Sequence, residues 1–369
     1  MKKSALLAIA LLLSLAVLVP ASAFAESNRN AYVTNNINGT VGVIDPNTNT
    51  VTATIKGFLH PFCVSVSPNG KLLYVCNTNN TISVVDTATN SIRATISLGG
   101  ALGFIGNEGA GPVVAFSRHG ERAFVATSGG GVHSELIVID TEKNAILSRT
   151  SFGATFLLAV AVSPNSDSVY LASSSGIVVV HPDGHAATTT IAPGHEIFDL
   201  ALSRNGEKLY GSDMTASGVL VVNTDKNTVE TTVPVPAIAG GAHTFVMGLA
   251  LTRDSRHLYA AALNPRPANS KVLVIDTRNN SVNTTITANG LSLTSLAATT
   301  NGGKILATNA VLSVTEDSTV VVIDTKDNMI TGSIKVGLFS DVIGTQHGGD
   351  DDGDHGDDGR RGDDGHGKP

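Results

Sequence analysis

Tryptophan is absent from this 369-residue chain, and all aromatic residues together supply 4 % of it. No stretch beyond the first 25 residues carries a helical period. Val, Ile, Thr, Asn and Gly abound instead, the composition of β-strands joined by many turns. Beyond the same point no apolar run reaches the roughly twenty residues that cross a bilayer, so no membrane span is expected. A basic surface is missing as well. Of the net charge of −7, the eight Asp and three basic residues between Asp350 and Pro369 account for −5. The remaining body is close to neutral, without the electrostatic footprint of a nucleic-acid partner or a polybasic membrane patch. Also lacking are a nucleophile elbow, a phosphate-binding loop, a paired-His zinc helix and a Cys-x-x-Cys-His haem attachment.

At the start of the chain, Lys2 and Lys3 precede an apolar run from Ala5 to Val19, then Pro20 and small residues through Ala25. That three-part layout predicts a secretory signal peptide over residues 1–25, and hence an exported protein, periplasmic or extracellular. Residues 350–369 are Asp, Gly and His in low-complexity order with no apolar residue to bury, which predicts a disordered acidic tail. Its Asp354 and His355 are candidate weak ligands for a divalent ion, although the spacing is not that of an EF-hand.

Residues 26–349 repeat. A segment reading Val-Ile-Asp-Thr or a near variant recurs with its third slot at Asp45, Asp86, Asp140, His181, Asn223, Asp276 and Asp324. A period of forty to fifty residues signals stacked units. Each unit holds four short strands, as in the run that includes Ser67-Pro68-Asn69-Gly70, Leu73-Tyr74-Val75, Ser83-Val84-Val85-Asp86 and Ser91 to Ile96. Four antiparallel strands per repeat describe a propeller blade, and the fold class expected is an all-β, seven-bladed β-propeller. The third strand is apolar without alternation (Leu136 to Ile139, Val320 to Ile323), so both of its faces are covered; the fourth alternates (Val51 to Ile55), as at a half-exposed rim. The recurring Asp reads as a turn nucleator, since its carboxylate accepts from backbone N–H groups two residues on. Val180-His181-Pro182 and Val222-Asn223-Thr224 depart from the pattern, which predicts irregular turns in the fourth and fifth blades. The first repeat opens at Ala31 without its innermost strand, and Val342 to Gly348 aligns with Val114 to Gly120. A C-terminal strand is therefore expected to complete the first blade and close the ring.

The strings Tyr32-Val33-Thr34-Asn35, Val43-Ile44-Asp45 and Ser67-Pro68-Asn69-Gly70-Lys71 resemble the YVTN β-propeller family, over about residues 31 to 347. The resemblance implies an exported bacterial protein or an archaeal surface-layer type of propeller. Related propellers include lactonases and the haem-d1 and nitrous-oxide reductase propellers. The motif specifies the fold and is nearly silent on function.

Cys63 and Cys76 flank the hairpin at Pro68 to Lys71. If Ser67 faces Leu72, the two cysteines face each other, with Cα atoms about 4.5 to 5.5 Å apart, within reach of a disulfide. A shift of one residue in register would favour two buried thiols or a metal-binding pair.

Searching by repeat slot brings out His60, His195 and His243, each seven to nine residues before Ser67, Ser203 or Thr252, at the start of an innermost strand. Propeller geometry carries them to one mouth of the channel, where neutral imidazoles can hold a transition metal, an arrangement partly similar to the His-rich copper site of the nitrous-oxide reductase propeller. Glu108, Glu196 and Asp199 are placed in the same kind of loop. Two readings stand. One is a monomeric, non-catalytic scaffold presenting channel-mouth loops to a protein, glycan, cell-surface or small-molecule partner. The other is a lactonase-like hydrolase or a metalloprotein at that mouth; a divalent metal ion is the only cofactor the pattern admits.

Overall fold

The computed structural model describes residues 30–99, 113–129, 133–153, 155–183, 187–238, 244–265, 268–311, 315–338, 340 and 342–345. The proposed signal peptide and acidic tail lie outside them. Among the described residues there are seven four-stranded antiparallel sheets and no helix. The molecule is a seven-bladed β-propeller.

Within a blade the strands run from axis to rim in sequence order. Blade 2, for example, consists of Pro61–Val66, Leu72–Asn77, Thr81–Asp86 and Ser91–Ser97. Blade 1 departs from that order as expected: Ile343–Thr345 pairs with Ala31–Asn35, matching Ala31 to Thr345 and Val33 to Ile343. The last strand of the chain is thereby the innermost strand of the first blade.

The core is a ring of seven apolar layers, each formed between two adjacent blades. Ile137 and Ile139 pack with Tyr74, Ile82 and Val84 of blade 2, whereas their alternates Leu136 and Val138 pack with Val169, Leu171 and Val178 of blade 4. Alternate side chains of one strand thus enter opposite layers, and this is why the third strands show no polar face. The outermost strands Thr50–Lys56 and Ser91–Ser97 alternate exposed and partly buried residues until a single buried Ile near the end. In all seven blades the register between third and outermost strands slips by one residue at the same place, as at Val84/Val85 and Val274/Ile275. Such a bulge adds local twist at the rim.

The two faces of the disc are built differently. On one, which we call the turn face, innermost strands turn into second strands and third strands into outermost ones. In the first kind of turn Ser67 closes the hairpin through Ser67 N–H to Leu72 O at 2.8 Å, Leu72 N–H donates to Ser67 Oγ at 2.9 Å, and Gly70 takes φ 69°. The second kind uses the recurring Asp: Asp86 Oδ1 accepts from the N–H groups of Ala88 and Thr89, both at 3.0 Å, and the fifth residue, Asn90, adopts φ 51°. Asn tolerates that left-handed region better than most residues. The Thr after the Asp joins the two turns: Thr87 Oγ1 donates to Gly70 O, Thr224 to Gly206 O, and Thr277 to Ser255 O, at 2.5, 2.5 and 2.7 Å.

The expected irregularity of blade 5 does not occur. Asn223 Oδ1 accepts from Lys226 N–H at 3.0 Å and Asn227 takes φ 51°, because an amide oxygen performs the turn-closing role of a carboxylate. In blade 4 His181 instead pairs with Asp183 at 3.1 Å, and residues 184–186 lie outside the described set.

Cys63 and Cys76 are direct cross-strand partners with Cα atoms 5.0 Å apart, and they form a disulfide. The bond suits an oxidising, non-cytoplasmic environment. No helix among the described residues is long and apolar enough to cross a membrane.

Candidate functional site

On the opposite, loop face, chains pass from each outermost strand to the next innermost strand. There the Asn that ends the Tyr-Val-Thr-Asn motif acts as a clip. Asn77 Oδ1 accepts from Leu59 N–H at 3.1 Å while its Nδ2 donates to Thr81 Oγ1 and Ser83 Oγ; Asn309 likewise accepts from Ser292 N–H at 2.8 Å and donates to Thr319 Oγ1. A buried amide with both ends satisfied fixes the loop to its own blade.

Blade 5 breaks this rule. Its slot in Tyr210-Gly211-Ser212-Asp213 carries a carboxylate, fully buried, whose Oδ1 accepts from Thr215 and Ala216 N–H at 2.9 and 3.1 Å. Its Oδ2 lies 2.7 Å from Nδ1 of His195, which is 38 % exposed. A carboxylate holding one imidazole nitrogen fixes the ring and leaves the other nitrogen as a lone-pair donor. His195 is thus a positioned side chain. Glu196 beside it is exposed, and its N–H donates to Thr215 Oγ1.

His60 stands at the same kind of position in blade 2, exposed, with φ 44° immediately before Pro61. Blades 2 and 5 are three places apart in a ring of seven, so His60 and His195 occupy different sides of the axis. His243 and Glu108 lie outside the described residues, as do Asp354 and His355 of the tail. Among the described residues no three His, Cys, Asp or Glu side chains converge as a metal-binding group.

Asp199 is not a loop residue. It lies within the innermost strand Ile197–Leu202, which begins directly after Glu196 and pairs Ile197 with Asp213. Its side chain is buried; Oδ1 accepts from its neighbour Leu200 N–H and Oδ2 from Leu249 N–H of blade 6, both at 2.8 Å. The carboxylate thereby bridges two blades at the axis. Burial pushes it up to about 7, against the two N–H donors that favour the charged form.

The innermost strands of all seven blades surround an open axial cavity of about 460 Å³. It extends from mid-strand, at Val64, Val114, Val160 and Asp199, to the turn face, where Arg118, His119, Arg204 and Arg253 line it. Among the described residues, Asp199 is the only carboxylate in that lining. These arginines are not among the residues that the sequence singles out. The signal was present in the second slot of the Ser-Pro-Asn-Gly turn, where Arg118, Arg204 and Arg253 stand in place of Pro68 and Pro164.

No family model matches the chain, and no curated protein matches it. Solved structures do. The chain is similar to Kuenenia stuttgartiensis hydrazine synthase, with a TM-score of 0.65 at 17 % identity over 81 % of this chain and 93 % of that one. It is also similar to a functionally unknown protein from Desulfotomaculum acetoxidans, TM-score 0.69 at 12 % identity over 86 % and 99 %. A third likeness is to the β-propeller domain of Cps50 (Swd1) from Myceliophteria thermophila, TM-score 0.63 at 13 % identity over 80 % and 92 %. At these identities the likeness extends to the fold alone, and that fold serves an enzyme and other proteins alike.

Proposed function

We propose that this protein is an exported binding propeller of the YVTN type, non-catalytic, which receives a ligand or partner surface at the mouths of its axial channel. The observation that carries this reading is the open cavity on the axis, to which every blade contributes its innermost strand. A concave, preformed site at the junction of all repeats is where a repeat protein gathers unlike side chains without disturbing its stacking. Export is supported by the Lys-flanked apolar start of the sequence and by the Cys63–Cys76 disulfide. The partner classes that fit a neutral body with a loop-rich face are a protein, a glycan or a cell surface.

The second reading, a metal site or metal-dependent hydrolase at the loop face, draws its support from His195, whose ring Asp213 holds as metal-ligating rings are held. Metal analysis of the purified mature protein separates the two, run beside a variant without residues 350–369 and a His60→Ala/His195→Ala/His243→Ala variant. The binding reading expects no stoichiometric metal in any of the three. Tight metal lost only in the His variant would overturn it in favour of a loop-face metalloprotein.

A further inference from the structure

The ring-closing strand hands the chain on at the arginine-lined mouth. Innermost strands run from the loop face to the turn face, and Ile343–Thr345 is one of them, so Thr345, which lines the cavity, stands at its turn-face end. The acidic run begins five residues later, at Asp350. Five extended residues span at most ~17 Å. From Asp350 to Asp358 there are six Asp and neither Lys nor Arg. The mouth itself carries the opposite charge on turns tied across blades. Arg118 N–H donates to Ser166 Oγ at 3.2 Å and Arg204 N–H to Ser255 Oγ at 2.9 Å, while Arg253 Nη1 donates to Thr300 O at 3.3 Å. Ser166 and Ser255 fill a slot that is Gly70, Gly120, Gly206 or Gly302 in other blades. They hold φ 60° and 54°, which costs a side-chain-bearing residue conformational energy.

Neither Arg118 nor Arg204 is without a partner, so an outside anion would have to compete for them. Among the described residues no carboxylate but Asp199 lines the cavity, and Asp199 lies at mid-strand, already accepting two backbone N–H bonds. Glu121, Asp167, Glu207 and Asp254 belong to the innermost turns but not to the lining. Beyond residue 30, the acidic residues outside the described set are Glu108, Asp341 and those from Asp350 onward. Glu108 and Asp341 stand in connections that lead into innermost strands, and such connections belong to the loop face. Chain order thus leaves the acidic run as the source of further carboxylate at the turn face.

We propose that residues 350–358 dock on the turn-face mouth of their own propeller, where Arg118, Arg204 and Arg253 receive their carboxylates, and that an outside partner reaches this mouth only by displacing them. Guanidinium groups offer paired N–H donors that match a carboxylate. A single exposed ion pair contributes at most about 1 kcal/mol. The short tether makes up the difference: it sets an effective concentration in the millimolar range, so an intrinsic affinity of about 0.1 mM keeps the segment docked most of the time. The same tether favours its own mouth over that of a second copy at micromolar protein. The inference deepens the binding reading above by naming what guards one mouth. Its test needs no outside ligand, so it can fail while that reading stands.

Nuclear magnetic resonance of the intact mature protein, labelled with nitrogen-15, tests it through the backbone amides of residues 350–358. At about 50 mM NaCl these signals should be shifted and broadened relative to a synthetic peptide of residues 346–369, and about 500 mM NaCl should return them to the peptide positions. Arg118→Gln/Arg204→Gln/Arg253→Gln should release them at low salt too. So should Asp350→Asn/Asp351→Asn/Asp352→Asn/Asp354→Asn, which alters no propeller residue, so misfolding cannot imitate the result. Calorimetric titration of this Asn variant with the peptide should show the emptied mouth binding it, about tenfold or more weakly when the three Gln substitutions are added. Signals already at the peptide positions in the unaltered protein, signals that neither charge variant moves, or a peptide affinity that the arginines do not change, overturn the docking. Signals that depend on protein concentration between about 20 and 500 μM place the segment on a second copy and overturn the intramolecular contact. Circular dichroism and Tm of each variant verify the fold.

Discussion

The two faces of the disc obey different rules. On the turn face the same bonds return blade after blade: the Ser-closed hairpin, the Asp- or Asn-closed turn with its left-handed Asn, and the Thr that ties the two turns together. On the loop face the connecting segments differ in length and composition, and a recurring Asn clips several of them to the blade. Regularity on one side is what makes a departure there informative. Arg in place of Pro or Ser in place of Gly stands out because a blade folds without it, as Asp213 in place of Asn does on the loop face. Repeat chemistry holds the ring together, and the residues that break the repeat are the candidates for another role.

The largest test of that contrast is to open the ring. Deleting residues 340–347 removes the innermost strand of blade 1, including Val342 and Ile343, which are 3 % and 4 % exposed. Loss of those two side chains and of their backbone pairing should cost at least ~4 kcal/mol in urea unfolding and disturb both faces at once. Unchanged stability would show that the last strand does not close the propeller. The disulfide lies nearer the loop face, late in the strand Leu72–Asn77. Its double Ala variant should lose about 3 kcal/mol in the chain-entropy model, as should reduction of the native protein. Proteolysis should then appear first in the loop preceding Pro61 and spare the turn at Pro68 to Lys71.

Asp199 lies between the faces, and pH reads its contribution. Its carboxyl is raised in the folded state to about 7, so the folded protein retains a proton that the unfolded chain has already released. This contribution to stability is therefore fully present below about pH 4 and is lost as pH rises through 7, by no more than ~4 kcal/mol. In Asp199→Asn that slope should vanish. The variant should also be about 2 kcal/mol less stable at acidic pH, because an amide nitrogen would meet either Leu200 N–H or Leu249 N–H. Urea midpoints of both proteins from pH 4 to 8 check this; parallel curves would show that Asp199 titrates as an ordinary carboxyl.

The smallest effect belongs to single bonds on the turn face. Tyr259 Oη donates to Asn328 Oδ1 of the next blade at 2.5 Å. Tyr259→Phe and Thr277→Val should each cost about 1 kcal/mol, with no change in the ligand titrations. A larger loss in either would mean that the repeated bonds act together.

Much of this was legible in the residues. Unbroken apolar third strands required cover on both sides, and the seven interblade layers supply it. The missing first strand and its spare copy required closure. The symmetric placing of Cys63 and Cys76 about one turn followed from a hairpin in register. Local detail near slots that vary is harder to read: by repeat position Asp199 falls in a loop although the innermost strand reaches it, and Asn223 departs from the repeat although its amide closes the turn. The loop-face histidines drew attention because His is a conspicuous ligand, whereas arginines in a turn read as ordinary surface residues. The repeat count already places His60 in the second unit and His195 in the fifth, three places apart, whereas Asp213 bears no sign in the sequence that it faces His195.

Repeat period, strand order and ring closure were determined by the sequence alone, because each depends on the order and copy number of a pattern; the disulfide was conditional on a hairpin register that the structure supplies. Only the tertiary structure decided which side chains meet across blades. Ser166 reaches Arg118, Asn328 reaches Tyr259, and Leu249 reaches Asp199 over separations of 48, 69 and 50 residues. Those contacts depend on the angle between neighbouring sheets and on the width of the channel, quantities fixed by how seven twisted blades share one axis and not by any single repeat.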